Sequence, residues 1–213
     1  TGIWQTVWME AVSAAHVNSY YAESDIDAGT VSVAVDADSE EGDIIQVQLL
    51  ADGVAVAEGQ GEEVTLAVPD MKLWSPSDPY LYDLEIKVMR DGKEVDKVKG
   101  YTAMRKISYA EDENGHKRML LNNEPLFQYG PLDQGWWPDG LYTAPTDEAL
   151  VFDIEKTKEM GFNLIRKHVK VEPARWYWYC DRLGMLVWQD MPSIADNSTN
   201  VWDNRTYKRG TDT

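Results

Sequence analysis

Cysteine is almost missing from this sequence, which carries one, Cys180, in 213 residues. An intrachain disulfide is therefore excluded, and the fold must be held by packing alone. Cys180 lies at helical spacing from Trp176 and Leu183, which predicts a buried, inert thiol rather than a nucleophile. Positive charge is missing from the first third of the chain. Residues 1–71 hold no Lys or Arg but fourteen Asp or Glu, and all 20 basic residues follow. With a net charge of −17 the surface repels phosphate backbones and anionic lipid, which argues against nucleic acid or membrane as a partner. Long apolar runs are missing too. None nears the ~20 residues that span a bilayer, and no signal-peptide pattern opens the chain. The acidic segment from Asp36 to Asp43 lacks the ligand spacing of a calcium loop and reads as a turn between strands.

What the sequence does have, from residue 12 to about 107, is alternation. Val31, Val33 and Val35 alternate with small residues; Ile45, Val47 and Leu49 alternate with glutamines. Val64, Leu66 and Val68 follow, then Tyr82, Leu84, Ile86 and Val88. Asp52-Gly53 and Asp91-Gly92 are hairpin turns leading into strands at Val54–Glu58 and from Glu94 to about Ala103. With a first strand around Val17–Glu23 this gives about seven strands, the pattern of an immunoglobulin-like β-sandwich whose sheets bury one face each.

After residue 118 the pattern changes. Leu126–Gly130 reads as a short strand. Thr146 is a helix N-cap, with Asp147 and Glu148 in the first turn, Leu150, Ile154 and Thr157 as the inward stripe, and Gly161 as the stop. Asn163–His168 reads as a buried strand. Pro173 opens a second helix at its first position, carrying Trp176, Cys180 and Leu183 to a stop at Gly184, and Met185–Trp188 is another buried strand. Strand, helix, strand, helix, strand argues for a parallel sheet with helical crossovers. The result is mostly β plus α/β: either a small three-stranded unit or the first three strands of a (β/α)₈ TIM barrel, which takes roughly 250 residues in full.

The run from Asn163 to Trp188 carries Asn163, Arg166, Trp176-Tyr177, Asp181 and Gly184 followed by four apolar residues. This spacing resembles the signature of glycoside hydrolase family 2, the β-galactosidases, β-glucuronidases and β-mannosidases. The stretch from Gly2 to Trp8 is similar to the last strand of that family's N-terminal sugar-binding jelly roll. Leu73–Tyr82 is similar to a motif of its sandwich, and Leu121–Leu126 to the segment that leads into its barrel. The resemblance implies three parts: residues 1–11 from the jelly roll, 12–107 the sandwich, and 108–213 the incomplete N-terminal part of the barrel. One departure stands out. The family has Ser-His-Tyr-Pro after the strand's arginine, whereas here Lys167-His168-Val169-Lys170-Val171 follows, with the histidine one position early.

The resemblance implies a fragment of a retaining exo-glycosidase acting on oligo- or polysaccharides, periplasmic or extracellular, with no cofactor or metal. The alternative is a non-catalytic carbohydrate-binding or spacer module. Retaining hydrolysis needs two carboxyl groups about 5 Å apart. No glutamate here matches either catalytic motif, so no catalytic pair is assigned. The candidate substrate-binding residues are those at C-terminal strand ends: Arg166, His168, Asp190, Trp136 and Trp137. Arg166 and Asp190 either hold sugar hydroxyls and orient the glutamates or form a buried ion pair; the tryptophans either stack on sugar faces or anchor their loop. Strand alternation places Arg166, His168 and Lys170 on one face. Partners implied are a carbohydrate substrate, the remainder of a parent chain, and self-association through the cut barrel, with disorder expected after about Pro192.

Overall fold

The computed structural model describes residues 5–192, so the expectation for the segment after Pro192 lies outside the described residues. Seven strands form the first unit: β1 (His16–Asp25), β2 (Thr30–Asp38), β3 (Ile44–Ala51), β4 (Val54–Gln60), β5 (Glu63–Ala67), β6 (Tyr82–Arg90) and β7 (Lys93–Thr102). They make two antiparallel sheets, β1-β2-β5 and β4-β3-β6-β7. The alternating residues explain how the sheets close on each other. Val31, Val33, Val35, Ile45, Val47, Leu49, Leu84, Ile86 and Val88 all enter one core, each worth ~1.5–3 kcal/mol on burial. The two Asp-Gly turns have positive φ at all four residues, the geometry a tight type I′ hairpin needs. In the acidic turn before β3, Arg90 donates to both Asp43 carboxylate oxygens at 2.7 Å and holds that carboxyl down at about 2.

Residues 5–11 carry no strand. A strand is stable only beside a partner that takes its backbone hydrogen bonds, and none runs along this segment among the described residues.

Next comes a meander that alternation had not announced: β8 (Ile107–Glu111), β9 (Lys117–Leu121) and β10 (Glu124–Pro125), in the order β10-β9-β8. Asn122 and Asn123, at φ 53° and 68°, turn β9 into β10. The Asn122 side chain also accepts from the Lys106 N–H at 3.0 Å and donates to the Trp74 carbonyl at 2.9 Å.

The last part is β11 (Leu132–Asp133), α1 (Asp147–Glu159), β12 (Leu164–Lys167), α2 (Ala174–Leu183) and β13 (Leu186–Gln189), with a parallel sheet in the order β11-β12-β13. The first parallel strand sits beyond the place expected for it, at 132–133 rather than 126–130. Gly130 passes so close to β12 that a Cβ there would overlap the Leu164 carbonyl, and Pro131 has no N–H to give. The paired ladder therefore begins past the proline. Thr146 caps α1 by accepting from the Ala149 N–H at 3.2 Å. Pro173 is the N-cap of α2 rather than its first residue, and Gly184 ends the helix in the left-handed conformation.

Both helices lie on one face of this sheet, where Leu150, Ile154, Ile165, Trp176, Cys180 and Met185 form a second core. Burial pushes the Cys180 thiol pKa upward, as befits an inert packing residue. On the other face, Leu164 and Leu186 are covered by Trp74 and Leu121, the joint between the two units. The upper half of that face, the register row Leu132, Arg166 and Trp188, is open to solvent.

Candidate functional site at the strand ends

Most of the signature residues act as framework. Asn163 brackets the segment before β11: its side chain accepts from the Tyr129 N–H at 2.8 Å and donates to the Phe127 carbonyl at 2.9 Å. Asp181 points away from the strand ends and fastens α2 to the sandwich. It takes Arg105 at 2.5 Å and the Tyr101 hydroxyl at 2.9 Å, while its carbonyl accepts the Trp74 indole N–H at 2.7 Å. Burial, followed by the adjoining Asp181 charge, pushes the Tyr101 phenol pKa upward. Gly184 lies against the Leu73–Tyr82 motif, where a Cβ would overlap the Pro76 carbonyl.

At the C-terminal ends of the parallel strands the side chains converge. Arg166 meets Asp190 in a two-pronged pair, Nε to Oδ1 at 3.2 Å and Nη2 to Oδ2 at 2.9 Å. The pair is not buried: the Arg166 side chain is 47% exposed and Asp190 24%. It therefore faces solvent with guanidinium donors to spare. His168 Nδ1 lies 3.3 Å from the Gln134 amide nitrogen, on the loop after β11. The two tryptophans of that loop separate. Trp136 is 59% exposed, edge-on to Tyr142 at 4.7 Å. Trp137 packs into the second core and exchanges backbone hydrogen bonds with Leu141. Trp136 is thus the available ring, and Trp137 the anchor.

Lys170 does not share a face with Arg166 and His168. The strand ends at Lys167, and Val169 takes φ +48°, which breaks the two-residue repeat and turns the chain inward. What results is a buried charged cluster that sequence reasoning missed. Lys167, Lys170 and Glu172 are only 1%, 1% and 4% exposed. Lys167 pairs with Asp133 and with Glu172 at 3.0 Å, and its ammonium sits 4.3 Å from the Trp176 ring centre. Lys170 pairs with the same Glu172 oxygen at 2.9 Å. The Glu172 N–H donates to the Tyr177 hydroxyl at 3.1 Å, which in turn donates to Gln189 at 2.5 Å. Two cations and two carboxylates balance, as burial demands. The only signal available was the density of Lys and Glu in a strand-like stretch. Each acid at these strand ends, Asp133, Glu172 and Asp190, is already bonded to a cation.

Residues 15–105 match the profile of Glycosyl hydrolases family 2. Over 166 residues the chain is 28% identical to a β-galactosidase of Lactococcus lactis subsp. lactis, covering 78% of this chain and 16% of that protein. Over 198 residues it is 27% identical to a β-galactosidase of Streptococcus thermophilus, covering 87% and 19%. A β-glucuronidase from Ruminococcus gnavus, solved in complex with D-glucaro 1,5-lactone, has the same fold, with a TM-score of 0.77 at 22% identity over 87% of this chain and 31% of that one. By profile over the sandwich and by sequence beyond it, this chain resembles glycosyl hydrolase family 2 proteins. It spans less than a third of the length of these relatives.

Proposed function

We propose that this chain forms the sandwich and the first three strands of a (β/α)₈ catalytic barrel in a retaining exo-glycosidase. In this role it supplies wall and rim residues to a sugar site whose acid/base and nucleophile lie outside the 213 residues. One observation carries the proposal: Arg166–Asp190, His168 and Trp136 gather at the C-terminal ends of three parallel strands, where barrel enzymes place their sites. Two more support it. One face of the sheet is covered by helices while the upper half of the other stays open, as a barrel interior would before the remaining strands close it. Asp133, Glu172 and Asp190, the acids that end or follow the parallel strands, are each engaged by a cation, which suits them to holding structure rather than to proton transfer to a leaving group.

In this reading Arg166 gives its spare N–H groups to sugar hydroxyls, Asp190 fixes the guanidinium plane, His168 contributes a ring nitrogen, and Trp136 stacks on an apolar sugar face. The substrate is an oligo- or polysaccharide met in the periplasm or outside the cell. The sandwich works as a spacer, tied to the β/α unit by the hydrogen bonds of Trp74, Tyr101 and Arg105 to Asp181.

The test is Trp136→Ala in an enzyme that carries this chain, assayed on aryl β-D-galactosides and aryl β-D-glucuronides. Loss of a stacking ring is expected to lower kcat/KM about tenfold, corresponding to ~1.4 kcal/mol, with most of the change in KM. Unchanged kcat and KM on every glycoside the enzyme cleaves would remove Trp136 from the site.

A further inference from the structure

We infer that Lys170 is a positioning residue: within the loop between β11 and α1, its buried ammonium clamps Gly135 and Tyr142, on either side of the Trp136-Trp137 segment, and thereby sets the exposed face of Trp136. That Trp136 then meets a sugar rests on the proposed function; the clamp does not.

The geometry is specific. Among the described residues, the Lys170 ammonium donates to the Gly135 carbonyl at 2.7 Å and the Tyr142 carbonyl at 2.8 Å and pairs with the Glu172 carboxylate at 2.9 Å. Gly135 and Tyr142 flank the segment that carries Trp136 and Trp137. One cation therefore gathers both flanks, and Glu172 holds that cation from the α2 side. Within the loop, Trp137 and Leu141 exchange backbone hydrogen bonds at 2.8 and 2.9 Å, and the Thr143 N–H donates to Gly140 at 2.9 Å. From Lys170 the contact runs on to the rim. Its ammonium lies 4.8 Å from the Tyr142 ring centre, and that ring meets Trp136 edge-on at 4.7 Å.

The backbone is shaped around the clamp. Gly135 sits at φ +65°, and a Cβ there would overlap the Glu172 carboxylate and crowd the Lys170 ammonium. Val169 holds φ +48°, a conformation that a β-branched residue adopts only when its surroundings impose it. That turn sends His168 outward and Lys170 inward, so the same strained residue serves both the rim and the clamp.

The test is Lys170→Met in the full chain labelled with 5-fluorotryptophan, the Trp136 resonance being assigned with Trp136→Phe. The expected result is a shifted, broadened Trp136 resonance. The Trp137, Leu141 and Thr143 amides should exchange at least about tenfold faster, while the Trp74 resonance and the sandwich amides keep their wild-type values. An unmoved Trp136 resonance with unchanged loop protection would overturn the clamp. So would acceleration spread evenly over the chain, which marks plain destabilisation. If Lys170→Met does not fold, Gly135→Ala presses on the same ammonium from the loop side. It is expected to move the same resonance and amides, and their constancy would overturn the clamp as well. A positive clamp result beside an unchanged KM for Trp136→Ala would sink only the sugar contact.

Discussion

Trp74→Ala is expected to split the unfolding of this chain into two transitions, the β/α unit melting ahead of the sandwich. Trp74 is fully buried and is shared by both units: its ring packs with Leu121, Leu164 and Leu186, and its indole N–H reaches the Asp181 carbonyl. Removing it opens a cavity at the joint and strands an acceptor, a change that typically costs about 3–5 kcal/mol. The sandwich keeps its own core of valines, leucines and isoleucines, so the loss falls on the coupling and on the smaller unit. Urea unfolding followed by tryptophan fluorescence and by far-UV circular dichroism checks this. Two midpoints, or probes that no longer coincide, are expected. A single coincident transition within about 0.5 kcal/mol of wild type would mean the joint bears no load.

Glu172→Gln is expected to be the other severe change, although it alters no shape. Glu172 is the anion that two buried ammonium groups share. Without its charge, both buried ammonium groups lose the anion they share. An uncompensated buried charge typically costs about 3–5 kcal/mol. The contrast that isolates electrostatics is the quadruple variant Asp133→Asn, Lys167→Met, Lys170→Met, Glu172→Leu. Replacing a whole buried ionic group with apolar residues is often neutral or stabilising. This variant should therefore recover most of the stability lost by Glu172→Gln, while loosening the Trp136 loop. Equal loss in both variants would show that packing, not charge balance, governs the site.

The sandwich was legible in the sequence because its physics is local and periodic. Each strand buries every second side chain, and Asp-Gly marks the reversals, so the strands and the core residues read directly from alternation. The hairpin of β8 and β9 was less visible, since both its faces are mostly exposed and alternation is weak; Asn114-Gly115 at its turn was the available sign. The first parallel strand was placed early because Leu126–Gly130 is the apolar stretch. What decides the ladder is the bare backbone of Gly130 against Leu164 and the missing N–H of Pro131. Arg166, His168, Asp190 and Trp136 were named from the strand-helix-strand order, and the structure places all four at or beside the strand ends. The ion pair of Arg166 was foreseen, but not its exposure. The Lys167–Lys170–Glu172 cluster was not legible. Lysine is rarely buried, and only the left-handed turn at Val169, a tertiary effect, brings Lys170 beneath the loop.

The most direct measurement is release of aryl aglycone from β-D-galactosides and β-D-glucuronides by the 213-residue chain alone. At the strand ends Asp133, Glu172 and Asp190 are each paired with a cation. The expected result is therefore no release above a buffer blank, with activity restored when the chain is part of the longer enzyme. Turnover by the isolated chain, abolished by replacing one of its own acids, would contradict the assignment of this chain to the walls of the site rather than its reactive centre.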